Sequence, residues 1–305
     1  MNINDVDPRL REATRKSTTL NLENRLIRSL GGAASKLIPG KRVDGVERRL
    51  VREADVHLRA YIPSAPAGGA LLWMHGGGLL LGSAAYDDEY CSQIARETDA
   101  VVVSVDYRLA QRHPFPAALD DCAAAFAWLR ANASDLGVDL ARVVVGGQSA
   151  GSGLAACLVQ RLYDEGVQLA GQWLFCPMLD DRTAADRSRD DEHYFIWNNR
   201  ANLVGWRSYL GDRVGARDLP DYAAASRRSD LTGLPPTWLY VSSIELFHDE
   251  VIDYARRLDA AGVDVTVDVV PGAPHGFDSW MSENPVAQEL HVRAREWLDP
   301  RLSAR

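Results

Sequence analysis

The sequence predicts an α/β protein in which helices cover both faces of a mostly parallel sheet. Strand-like and helical runs alternate over most of the chain. Several strand candidates, such as Val143-Val144-Val145, are continuous apolar runs that suit strands buried on both faces. The first two strand candidates follow each other with no room for a crossover helix, so the sheet is expected to start antiparallel.

Taken in order, residues 1–40 read as a polar helical segment. Leu20, Leu22, Leu26, Ile27 and Leu30 supply its intermittent apolar face, and Pro39-Gly40 ends it. Strands are expected at 46–52, 57–62, 70–75 and 101–106, with a helix at 84–98 between the last two. A helix at 116–132 has Pro116 near its start. A strand at 142–147, a helix at 150–165 and a strand near 172–176 follow. The rhythm then breaks over 178–222, a charged stretch helical near 199–210, which reads as an excursion from the sheet and part of a lid with the N-terminal segment. It resumes with a strand at 237–243, a helix at 249–261 stopped by Gly262, a strand at 264–270 and a helix at 286–298. Eight strands result. The chain divides into an N-terminal segment 1–40, core parts 41–177 and 223–305, and the excursion 178–222.

At 305 residues, 46% of them hydrophobic, the chain can bury a single large core without disulfides or metals. The formal charge of −8 argues against a nucleic-acid or anionic-membrane partner. No run of about 18 apolar residues could span a bilayer. The polar start MNINDVDPRLREATRK has no signal-peptide core, so a cytoplasmic protein is expected. Cys91, Cys122, Cys157 and Cys176 form no CxxC pair and read as reduced, mostly buried thiols.

Chemistry concentrates in four places. Gly147-Gln148-Ser149-Ala150-Gly151 sits between a buried strand and a helix, where a sharp turn lifts the serine hydroxyl above the sheet edge. A structural turn serine is the bland alternative. His75-Gly76-Gly77-Gly78 follows a strand, and its glycines leave backbone amides open to an oxyanion; the Gly76 and Gly77 amides would join that of Ala150. Taken alone it is merely a glycine turn, with His75 fixing the loop by a side-chain hydrogen bond. His275, in a Pro/Gly-constrained loop after the last strand, is the base candidate. Glu245 leaves the preceding strand first and is the acid candidate, with Asp249 its rival at a helix start. Serine, acid and histidine stand in the order of a nucleophile-elbow hydrolase. Tyr194, Phe195, Trp197, Trp206, Tyr209 and Leu79 to Leu81 either line an apolar acyl pocket or pack a cap onto the sheet. HGGG lacks the Lys-Ser/Thr of a phosphate loop and GGQSAG lacks GxGxxG, so no nucleotide, metal or organic cofactor is expected.

From about residue 40 onward the chain resembles the hormone-sensitive lipase family of α/β-hydrolase carboxylesterases. HGGGLLLGS, SVDYRLAQRHPFPAALDD, VVVGGQSAGSGLAA, IELFHDE and GAPHGF occur in that family's order. The resemblance implies the α/β-hydrolase fold with a helical cap formed by residues 1–40 and 178–222. It implies Ser149 as nucleophile, His275 as base, Glu245 as acid, and Gly76, Gly77 and Ala150 as oxyanion donors. Short- to medium-chain monoesters are the expected substrates, with no stable membrane association and a possible homodimer through the last strand and helix. A same-fold amidase or lactonase, or a weakly active ligand-binding homologue, is the alternative. The pattern is departed from in three places: Gln148 and Glu245 stand where the family has aspartate, and Gln111-Arg112 where it has Pro-Glu. An Arg112–Gln148 pairing that compensates two lost carboxylates is a further expectation.

Overall fold

The computed structural model describes every residue except 18–20, 25, 29–30, 32–39, 42, 54–55 and 304–305. Its sheet has eight strands: β1 (Val46–Glu53), β2 (Val56–Pro63), β3 (Ala70–Met74), β4 (Val101–Val105), β5 (Val143–Gln148), β6 (Gly171–Phe175), β7 (Thr237–Ser242) and β8 (Val265–Val270). Their order is β1-β2-β4-β3-β5-β6-β7-β8. Pairs β1–β2 and β2–β4 are antiparallel and the rest parallel, as the short first connection and the later crossovers require.

Alternate residues of the central strands feed two separate cores. Leu72, Met74, Val103, Val145, Leu174 and Leu239 face one side, where α3 (Ala117–Ala131), α4 (Ala150–Asp164) and α7 (His248–Ala260) pack. Leu71, Trp73, Val144, Trp173, Phe175 and Trp238 face the other, against α2 (Asp88–Thr98) and α9 (Pro285–Leu302). That division is the period-two rule of a pleated strand, and it explains why these strands carry no polar alternation. The helix α9 starts where Asn284 accepts from the Val286 amide and Pro285 occupies the first turn. It runs four residues past the expected end at 298, to Leu302. Asp88 is wholly buried at the start of α2 and is held by Arg48, Arg59 and Tyr61, which ties that helix to β1 and β2.

The N-terminal segment differs from expectation. Its described residues include a 3-10 turn at Ile3–Asp5 and the short α1 (Arg11–Lys16). Residues 26–28 and 31 are helical, but among the described residues of the expected face Leu22 is buried and Leu26 and Ile27 are exposed; Leu20 and Leu30 lie outside the described residues. Val6 and Leu10 are the buried anchors instead. The Asp7 amide donates to the Gly272 carbonyl over 2.8 Å, so this segment braces the loop that carries His275. The excursion contains α5 (Asp181–Ala185) and α6 (Asn199–Leu210), the latter capped by Asn198, whose side chain accepts from the Ala201 amide. The short α8 (Phe277–Trp280) follows the His275 loop.

Candidate active site

Strand β5 runs straight into α4, and the turn between them is Ser149. Its φ of +53° and ψ of −116° lie in a region that a side-chain-bearing residue occupies only under strain. Neighbours hold it there. The Ser149 amide donates to the Phe175 carbonyl over 2.8 Å, and the Ser149 carbonyl accepts from the Met178 and Gly153 amides, each over 3.1 Å. Gly151 is obligatory because a Cβ there would collide with the carbonyls of Met74 and His75.

The turn sets the Ser149 Oγ 2.8 Å from His275 Nε2. On the far side of the ring, His275 Nδ1 is hydrogen-bonded to Glu245 Oε2. The other carboxylate oxygen of Glu245 accepts from the Ser242 amide over 2.7 Å, which fixes the carboxylate at the end of β7. All three side chains are buried. Asp249 points elsewhere: it is exposed and pairs with Arg189 and His248, and these partners hold its carboxyl below the ordinary range. The structure thus brings Ser149, His275 and Glu245 together and leaves Asp249 out.

Gly76 and Gly77 line the same cleft as Ser149. Gly77 has φ +119°, and a Cβ on it would strike the Leu81 carbonyl, so the loop can close only with glycine there. His75 stacks on Tyr107 with ring centroids 4.1 Å apart, and its Nδ1 lies 2.8 Å from the Gly76 carbonyl. The Tyr107 hydroxyl donates to the His75 carbonyl over 2.7 Å. Ala150 is buried and begins α4, so its amide belongs to the free first turn of that helix.

The cleft over Ser149 has a volume of about 520 Å³, and Leu22, Leu81, Ile196, Trp197 and Trp280 supply apolar wall. Of the expected pocket residues, Leu81 and Trp197 are in that wall, whereas Leu79, Trp206 and Tyr209 surround a small cavity behind Ala150. Leu80 and Tyr194 are core residues, and Phe195 packs half-buried on the opposite core. Trp280, on α8, was not singled out by the sequence; its Nε1 donates to the His275 carbonyl over 3.1 Å.

The expected Arg112–Gln148 pairing is not formed. Arg112 is exposed, and the Gln148 amide donates to Asp278 Oδ1 over 3.2 Å and to Cys176 Sγ over 3.4 Å. Asp278 also accepts from the Tyr240 hydroxyl, and burial raises its pKa. Gln148 therefore answers a carboxylate three residues past His275, too far along the chain for the motif itself to reveal.

Among the described residues, the one cluster with metal-ligand spacing is Cys176, Glu245 and His275, whose ligand atoms lie within 4.8 Å of one another. Glu245 and His275 already bond each other there, and burial pushes the Cys176 thiol well above its ordinary range. The thiolate that a metal would need is disfavoured. The four cysteines are free and buried.

Residues 71–279 match the sequence family described as alpha/beta hydrolase fold. The chain belongs to that family. Its kinship reaches the esterases related to hormone-sensitive lipase. The structure of a bacterial heroin esterase superimposes with a TM-score of 0.90 over 99% of both chains, at 34% identity. Carboxylesterase NlhH of Mycobacterium tuberculosis is 33% identical over 261 residues, which are 82% of this chain and 80% of the relative. Ethyl acetate hydrolase of Pseudomonas putida is 32% identical over 284 residues, 88% of this chain and 87% of the relative. With these relationships and this geometry, the chain is a carboxylic ester hydrolase that works through an acyl-enzyme on small esters. Among the described residues, no helix is long and apolar enough to cross a membrane.

Proposed function

We propose that Ser149 is the nucleophile, His275 the general base and Glu245 the acid of this esterase. The single observation that carries the proposal is the continuous hydrogen-bonded line from Ser149 Oγ through both ring nitrogens of His275 to Glu245. Ser149 attacks the ester carbonyl as His275 Nε2 takes its proton; the amides of Gly76, Gly77 and Ala150 receive the oxyanion. His275 then protonates the leaving alcohol and activates the water that frees the acid. Glu245 holds the ring in the tautomer with its proton on Nδ1 and stabilises the transient imidazolium. The longer side chain of glutamate is accommodated because the Ser242 amide anchors its second oxygen.

The apolar wall of Leu81, Ile196 and Trp197 supports short- to medium-chain acyl groups as substrates. Residues 1–40 and 178–222 act as a cap on this cleft, a role supported by Leu22, Ile196 and Trp197 in its wall. Four unpaired thiols accord with a reducing cytoplasmic compartment. A homodimer through β8 is supported by Val267 and Val269, each 40% exposed on that edge strand.

A p-nitrophenyl ester series from acetate to palmitate, run on wild type and Ser149→Ala, tests the assignment. Turnover that is fastest for short chains and falls by at least about a thousandfold in the variant is the expected result. Activity surviving in folded Ser149→Ala would remove the serine from its role.

A further inference from the structure

The segment that supplies the acid candidate carries two further carboxylates, and one of them grips the chain beside the nucleophile. Glu250, in the first turn of α7, is only 7% exposed, yet it has no cationic partner among its hydrogen bonds. One oxygen accepts from the Leu179 amide over 2.7 Å and the Asp180 amide over 3.2 Å; the other accepts from the Thr183 hydroxyl. These donors stand at the stem of the excursion, where the chain leaves β6. Burying a carboxylate among backbone amides costs free energy, and here it pushes Glu250 up to about 8. Such an arrangement calls for a role beyond filling space.

The stem is also in contact with Ser149. After Phe175 the chain turns sharply, Cys176 taking φ +37°, and the Met178 amide then donates to the Ser149 carbonyl over 3.1 Å. Gly153 has no side chain where the Met178 carbonyl approaches, so the stem and α4 lie in direct backbone contact. A serine at φ +53° persists only if its surroundings over-determine it. Met178 supplies one of those constraints, and Met178 is followed immediately by the two amides that Glu250 holds.

We propose that Glu250 is a positioning residue for catalysis: it clamps residues 179–183 so that the Met178 amide keeps the strained Ser149 backbone in place. The proposal rests on Ser149 as nucleophile. One turn of chain then serves both halves of the site, with Glu245 orienting His275 and Glu250 steadying Ser149. Asp249, between them in sequence but outside the site, pairs with Arg189 of the excursion over 3.0 Å.

The test compares wild type, Glu250→Ala and Glu250→Gln on p-nitrophenyl acetate, with hydrogen exchange followed at the Met178, Leu179 and Asp180 amides. Glu250→Ala strips three donors of their acceptor. Its kcat is expected to fall about 10- to 100-fold with KM within about twofold, because misplacement rather than lost substrate contact is the defect. Exchange at the three amides should rise. Glu250→Gln keeps an acceptor for both amides and a partner for Thr183, and should recover kcat to within about threefold of wild type. Unchanged kcat in Glu250→Ala despite faster exchange overturns the proposal, as does a loss confined to KM or one that glutamine leaves unrescued. Should Glu250→Ala not fold, Thr183→Val removes one donor alone; a kcat at least about twofold lower supports the clamp and a wild-type kcat overturns it. Failure of the nucleophile assignment is read separately, as turnover surviving in Ser149→Ala; if wild type hydrolyses no ester, exchange at Met178 in Glu250→Ala still decides whether the clamp holds the stem.

Discussion

At the scale of single residues, Gln148 is the position where this chain's sequence departs most informatively from the pattern it resembles. A carboxylate there would face the buried Asp278, whose Oδ1 now accepts from the Gln148 amide over 3.2 Å. A half-buried carboxylate beside the buried Asp278 cannot ionise together with it without cost, so one keeps a proton with its pKa raised. Gln148→Asp is therefore expected to lower stability by about 1–3 kcal/mol at pH 8 and by less at pH 5, measured by urea unfolding. Equal losses at the two pH values would show that like charge is not the cause. Combining the change with Arg112→Glu should give additive effects, because exposed Arg112 shares no partner with Gln148. The motif residues Ser149, His275 and Glu245 were legible because each stands at a strand end with the right side chain. Asp278 was not, since its partner Gln148 lies 130 positions away, and Trp280 shows its place only where it lines the cleft with residues as distant as Leu22. Local pattern holds no record of such a contact.

Among the elements, the strands were read within one or two residues at most ends, because apolar runs buried on both faces leave a strong signal. The N-terminal segment was read less well: residues 26–28 and 31 are helical as expected, but Leu26 and Ile27 are exposed, and the anchors Val6 and Leu10 are too few to show a period. Helix α7 illustrates what charge in a first turn conceals. Asp249 and Glu250 both suit a helix N-terminus, yet one is exposed and the other is buried with its pKa near 8. A carboxyl whose pKa rises on folding binds its proton more tightly in the native state. Its contribution to stability is complete below the unfolded value and is lost as pH climbs through about 8. The melting temperature of wild type should consequently fall more steeply between pH 5 and pH 8 than that of Glu250→Gln. Parallel slopes would mean that Glu250 does not titrate in this window.

For the whole molecule, the two sheet edges are unlike. Strand β1 carries Glu47, Arg48, Arg49, Arg52 and Glu53, charges that blunt an edge against pairing. Strand β8 instead presents the exposed Val267 and Val269. The proposed dimer pairs two copies of β8 about a twofold axis, and sedimentation velocity should find a wild-type dimer that Val267→Lys converts to monomer. A monomeric wild type at micromolar concentration would end that proposal. The sheet order has another result. Ser149 follows β5 and His275 follows β8, two strands lying between them in the sheet, and the N-terminal residues brace the His275 loop through Gly272. The Ser149–His275 contact closes when β6 and β7 are seated between β5 and β8. Labelling of the serine by a phosphonate during refolding would thus serve as a clock for assembly of the β5 to β8 half of the sheet, running behind any signal from the helices alone.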